Sequence, residues 1–239
     1  MLVAAALCPC PPLLVPEVAA GAAPELDAAR AACADALGVL AAARPDLLVV
    51  VGPVEHGPTG VFPQGSPGSF GGFGVDLSVA LGPATDTGTV PGRRLPASLT
   101  VAAWLLERTG WADAPIEGLG IEQSLDLQSC LAAGRETGAR AERVALLVMG
   151  DASACRTVKA PGYLDERAAP FDAEIARALG TADLAAVRAL DAELAAQLKA
   201  SGRAPWQFLA GAAEDTRLTG ALLYEDAPYG VGYLVATWT

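Results

Sequence analysis

Apolar residues along this chain fall into short unbroken runs, and the stretches between the runs carry helical spacing. That alternation predicts strands and helices in turn. LVAAALC at 2–8 reads as a short buried strand, and DLLVVV at 46–51 is the clearest buried strand. Between them, 24–43 reads as a helix with Leu26, Cys33, Leu37 and Leu40 on one face. LTVAAWLLERTG (99–110) looks helical and stops at Gly110, and a second helix runs through LDLQSCLAAGRE (125–136). RVALLVMG (143–150) is the third strand, and a loop runs on from it to Pro170. Helices are predicted over roughly 171–179, 182–200 and 205–213, the last opened by Pro205 in its first turn. LTGALLYED (218–226) and VGYLVATW (231–238) read as a closing strand pair. Residues 57–96 form a long Gly/Pro-rich stretch, with seven glycines between 57 and 74; 64–74 is expected to be a mobile flap over a site. No repeat or linker divides the chain. The pattern predicts one α/β domain over 1–239, a central mostly parallel or mixed sheet flanked by helices.

Composition narrows the function. The hydrophobic fraction is 52%, but much of it is alanine, and 14 arginines against 2 lysines point to codon bias rather than membrane residence. No apolar run approaches the roughly 20 residues of a spanning helix. The opening MLVAAALCPCPP has no basic segment before its apolar run and is not expected to be a leader. A net charge of −11, with no basic cluster beyond Arg93-Arg94, gives no footprint for nucleic acid. Five cysteines, at 8, 10, 33, 130 and 155, have no framework spacing. Free thiols in a reducing, cytoplasmic compartment are expected.

The chemistry gathers where predicted strands end, which is where open α/β sheets bind ligands. The first strand ends in Cys8-Pro9-Cys10, the second runs through Gly52-Pro53 to Glu55 and His56, and the third ends in Gly150-Asp151-Ala152-Ser153. His56 is the one histidine of the chain. Glu55 beside it can fix an imidazole tautomer or share a metal. Each residue also has a plainer role: His56 as a hydrogen-bonded loop residue, the cysteines as small buried hydrophobes, Asp151 as a turn cap. Cys33 and Cys130 lie on apolar helix faces and read as core. The glycine-rich stretch lacks the Lys-Ser/Thr of a phosphate-binding loop. Convergence of Cys10, Glu55, His56 and Asp151 on one pocket is the expectation to test.

At these same positions the chain resembles a family. CPPLLVPEV (10–18), PDLLVVVGPVEHG (45–57), MGDASA (149–154), APGYLDERAAPFD (160–172), SGRAPWQFLAGAAED (201–215) and LLYEDAPYGVGYLVA (222–236) fall in the order seen in the class III extradiol dioxygenase (LigB-like) superfamily and in Memo-type proteins. The resemblance spans essentially the whole chain. It implies a single α/β domain and, in active members, a non-haem ferrous ion held by two histidines and a carboxylate, with a further histidine as acid–base catalyst. Carried over by position, Cys10 stands for the first histidine. Glu55 stands for the second, with His56 immediately beyond it. Ala154 replaces the catalytic histidine, and the last ligand falls near Ser201.

Three readings are open. One is a metal-dependent oxidoreductase with an altered ligand set, Cys10, Glu55 and His56, with His56 or Asp151 as the catalytic group. Its divalent metal would be ferrous iron by resemblance, or zinc or copper given Cys10. The second is a pseudoenzyme retaining a small-molecule or metal-binding module. The third is thiol chemistry with Cys10 or Cys8 as nucleophile and His56 as base. All three expect a small-molecule ligand, no nucleic acid and no membrane, and a homodimer is compatible with each. Ordinary catechol cleavage is not expected, because one imidazole cannot be both ligand and acid–base group.

Overall fold

The structure, a computed structural model, describes residues 1–55, 59–83 and 93–239. Its frame is a sheet built from β1 (Leu2–Cys8), β2 (Leu47–Val54), β3 (Gly60–Pro63), β6 (Ile116–Glu122), β7 (Val144–Met149), β8 (Gly220–Asp226) and β9 (Tyr233–Trp238). The order of these seven strands is β3-β6-β2-β7-β1-β9-β8. A separate pair joins β4 (Pro67–Ser69) to β5 (Ser78–Ala80). The four inner strands β6, β2, β7 and β1 are parallel; β3, β9 and β8 add antiparallel strands at the margins. The expected mixed sheet flanked by helices is therefore present.

The helices are α1 (Pro16–Ala19), α2 (Asp27–Ala42), α3 (Ala97–Thr109), α4 (Leu127–Gly138), α5 (Ala168–Gly180), α6 (Leu184–Arg188), α7 (Ala192–Gln197) and α8 (Arg203–Ala212). Helices α2 and α3 cover one face, against Ala4, Ala6, Cys8, Val50 and Leu147. Helices α4, α5 and α8 cover the other, against Ala5, Leu7, Val49, Val51 and Leu146. With both faces covered, β1, β2 and β7 are apolar throughout, as parallel strands are when no face meets water.

The stretch at 116–122, to which the apolar pattern assigned no element, forms β6 between β3 and β2. Its glycines are the reason: a Cβ on Gly118 would come within 2.8 Å of Leu81 and 3.2 Å of Leu99. The residue that breaks the pattern is the one that lets the strand pack. The stretch at 64–74, expected as a mobile flap, is anchored by packing in its first part, while 71–74 are exposed. Phe70 and Ser66 are fully buried, and the Leu95 amide donates to the Pro67 carbonyl at 2.9 Å. The helix predicted over 182–200 divides into α6 and α7, each with an aspartate, Asp183 or Asp191, accepting from its first-turn amides.

Helix α8 is the element that shapes the rim of the sheet. All ten of its residues are buried. It lies backbone to backbone on α4, since a Cβ on Gly134 would be 2.0 Å from the Phe208 carbonyl oxygen. That close approach carries the residues just before α8 to the carboxyl end of β7.

Candidate functional site

Strands β1 and β7 are neighbours whose chains leave on opposite faces, and such a divergence opens a crevice at the strand ends. Here the crevice is lined by a tight set of hydrogen bonds, and Asp151 keeps part of its surface exposed. The Gly150 amide donates to the Cys8 carbonyl at 3.0 Å. The Cys10 amide donates to Asp151 Oδ1 at 2.8 Å, and the Cys10 thiol lies 3.8 Å from Oδ2. The Asp151 amide donates to Ser201 Oγ at 3.0 Å, and the Gly202 amide donates to the Asp151 carbonyl at 3.0 Å. The Ser201 hydroxyl also hydrogen-bonds with the Cys10 thiol. Tyr233, at the start of β9 and buried, completes the group, because antiparallel pairing with β1 brings the beginning of β9 to the end of β1.

The electrostatics follow from burial. Desolvation pushes the Asp151 carboxyl up to about 6, although the Cys10 amide and thiol both favour its charged form. Burial, then the charge of Asp151, holds the Cys10 thiol well above the ordinary thiol range. Cys8 is raised as well, first by its hydrogen bond with Cys33 and then by burial. Tyr233 is raised by burial and then by Asp151 and Cys10. The pair at the heart of the crevice is thus a neutral thiol beside an acid that exchanges its proton near neutrality.

Asp151 is supported from behind. Buried Asp172 on α5 accepts from the Ser153 amide and hydroxyl, both at 2.8 Å, and from the Arg156 guanidinium at 3.0 Å. The Ala152 amide donates to the Gly232 carbonyl and the Gly232 amide to the Ser153 carbonyl, each at 2.8 Å. These bonds tie the loop after β7 to α5 and to the β8–β9 hairpin. The Gly-Asp-x-Ser segment and the downstream Phe-Asp are the visible traces of this clamp in the sequence. Tyr233 left no such trace.

Glu55 follows β2, which is separated from β1 and Cys10 by β7, about 10 Å at ordinary strand spacing. It lines another crevice, between β2 and β6, with Val54, Thr59, Glu122, Gln123 and Ser124 around about 270 Å³. Both glutamates are exposed. Of the expected set, Cys10 and Asp151 are brought together, Glu55 lines the crevice on the β6 side of β2, and His56, on which the single pocket also rested, is outside the described residues.

A two-histidine, one-carboxylate iron centre does not fit these donors. Among the described residues no group of three His, Cys, Asp or Glu side chains is placed to hold a metal ion. The carboxylate nearest Cys10 is already engaged by its amide and thiol.

The architecture defines a mixed α/β sheet protein with polar groups at the carboxyl ends of its parallel strands. No family model matches the chain, and no curated protein matches it. Among solved structures it is similar to the crystal structure of uncharacterized protein JW3007 from Escherichia coli K12, with a TM-score of 0.54 and 15% identity over 98% of this chain and 99% of that one. That likeness is one of fold. Among the described residues no helix is long and apolar enough to cross a membrane.

Proposed function

We propose that this chain is a LigB-like protein that binds a small molecule at the carboxyl ends of its strands, with Asp151 as the proton-exchanging group and without ordinary extradiol ring cleavage. One observation carries this reading: the position that resemblance assigns to a metal-binding histidine holds Cys10, whose amide and thiol are both turned to Asp151. A thiol nucleophile is disfavoured, because nucleophilic attack needs a lowered thiol pKa and both Cys8 and Cys10 are raised. An acid that changes charge near neutrality between two strand ends is suited to receiving a hydroxylated or carboxylated ligand. Protonated, it donates a hydrogen bond; ionised, it repels an anion.

Protocatechuate tests this directly. Anaerobic calorimetry is expected to show binding that weakens as pH rises through about 6, the value at which Asp151 ionises. Asp151→Asn, which stays neutral, is expected to flatten that dependence. Anaerobically iron-loaded protein exposed to oxygen is expected to leave the catechol ring intact. Robust ring opening abolished by His56→Ala would overturn the reading.

A further inference from the structure

A second cavity lies elsewhere. It encloses about 640 Å³ between β5 and the end of α3. It sits beside Ile116, the first residue of β6, and so at the end of the parallel strands opposite Cys10 and Asp151. Its walls include Val79, Ala80, Pro83, Leu106 and Trp111, with Ser78 and Glu107 at the mouth.

Separate anchors hold these walls apart. The Trp111 indole N–H donates to the Ala114 carbonyl at 3.0 Å, and the Trp111 amide donates to the Leu106 carbonyl at 3.0 Å. Gly110 closes α3 with φ of 64°. On the facing lip, Gln64 donates to the Pro83 carbonyl at 3.1 Å and accepts from the Ile116 amide at 2.9 Å. Gly82, at φ of 72°, has no room for a Cβ, which would come within 2.7 Å of Ile116. A rigid apolar cavity of this volume is within the size range of small-molecule sites.

The charge of the lining is acidic, and the neighbouring Arg108, in the last turn of α3, is turned to the Trp104 ring. Among the described residues Glu107 is the one charged side chain of its lining, with no lysine or arginine beside it in the walls. The carboxyl end of α3, a helix of thirteen residues, adds the negative end of its dipole beside Glu107. We propose that this cavity is a second ligand site, which takes an aromatic amine with its ring against Trp111, Val79 and Leu106 and its ammonium group toward Glu107 and the end of α3. The site is independent of Asp151 and of the strand-end reading.

Two probes with the same ring and spacer and opposite charge distinguish this from a merely greasy hole. Calorimetry at neutral pH is expected to show saturable binding of 2-phenylethylamine in the millimolar range. It should bind about fivefold more tightly than 3-phenylpropionate, which carries the same ring and the opposite charge. Glu107→Gln should remove most of that preference. Ser78→Trp, a substitution at an exposed position that places a ring in the mouth, should abolish amine binding without changing the thermal midpoint. The proposal is overturned by the absence of saturable amine binding, by equal affinity for the two probes, or by amine binding unchanged in the folded Ser78→Trp protein.

Discussion

Two crevices open on the same rim of the sheet, and the sequence offers both the same raw material, a strand running into a carboxylate. In the crevice between β1 and β7, Asp151 is half-buried and holds Cys10 by its amide and thiol. In the crevice between β2 and β6, Glu55 and Glu122 stand exposed around open space. The difference lies in what docks behind each strand. Helix α8, drawn in by glycine contacts with α4, delivers Ser201 and Gly202 to the first crevice and closes it on Asp151. A strand-end carboxylate becomes a tuned acid only when a neighbouring element removes its water.

The largest effect should come from prying that closed crevice apart. A Cβ on Gly150 would lie 2.4 Å from Gly202 Cα, a clash between backbones that no rotamer relieves. Gly150→Ala should therefore destabilise the protein by about 3 kcal/mol in urea denaturation. A loss below about 1 kcal/mol would mean that α8 does not pin the crevice.

Removing the acid should be the next largest. Asp151→Ala strips the Cys10 amide of its acceptor, and a buried unpaired donor costs about 2 kcal/mol. Asp151→Asn keeps an oxygen in place and should stay close to the native protein at neutral pH. Equal losses from the two variants would show that this hydrogen bond contributes little.

The titration itself should be smaller. With its carboxyl at about 6 in the folded chain against an ordinary 3.8, the folded state binds this proton more tightly than the unfolded state. The stability contributed by Asp151 is then fully present below pH 4, is lost as pH rises toward 6, and is constant above. For a half-buried group the loss should be about 1–2 kcal/mol. It is read as the difference between native and Asp151→Asn stability across that range. Asp172, raised by burial in the same direction, contributes equally to both proteins and cancels. A difference that grows with the opposite sign would contradict the burial of Asp151.

Least of all should come from the open crevice. Glu55→Gln should change stability by no more than about 0.5 kcal/mol and leave the Asp151 titration where it is. A larger shift, or coupling between Glu55 and Asp151, would merge the two crevices into the single pocket first expected.

Much of this molecule is legible in its residues alone. Leu48–Val51, Val144–Met149 and Leu2–Cys8 are apolar without interruption and could only be inner strands, and Gly110 marks the end of α3 as expected. The Cys10 and Asp151 halves of the site are readable from strand ends. What stays hidden obeys no local pattern. Gly118 makes β6 look like a loop because its role is to make room for Leu81 and Leu99, residues distant along the chain.

The sequence by itself determined the alternation of strand and helix, the mixed sheet, and the placing of thiol and carboxylate at strand ends, because periodicity and turn chemistry act over a few residues. Only the tertiary structure decided which strand ends are neighbours. Inserting β7 between β2 and β1 sets Asp151 beside Cys10, while Glu55 lines a crevice on the β6 side of β2. It also brought Ser201 and Tyr233 to the pair from fifty or more residues away, and supplied the burial that holds Asp151 near 6. Those are long-range facts. Strand order and desolvation arise from the sum of many contacts across the fold, and no short stretch of sequence carries them.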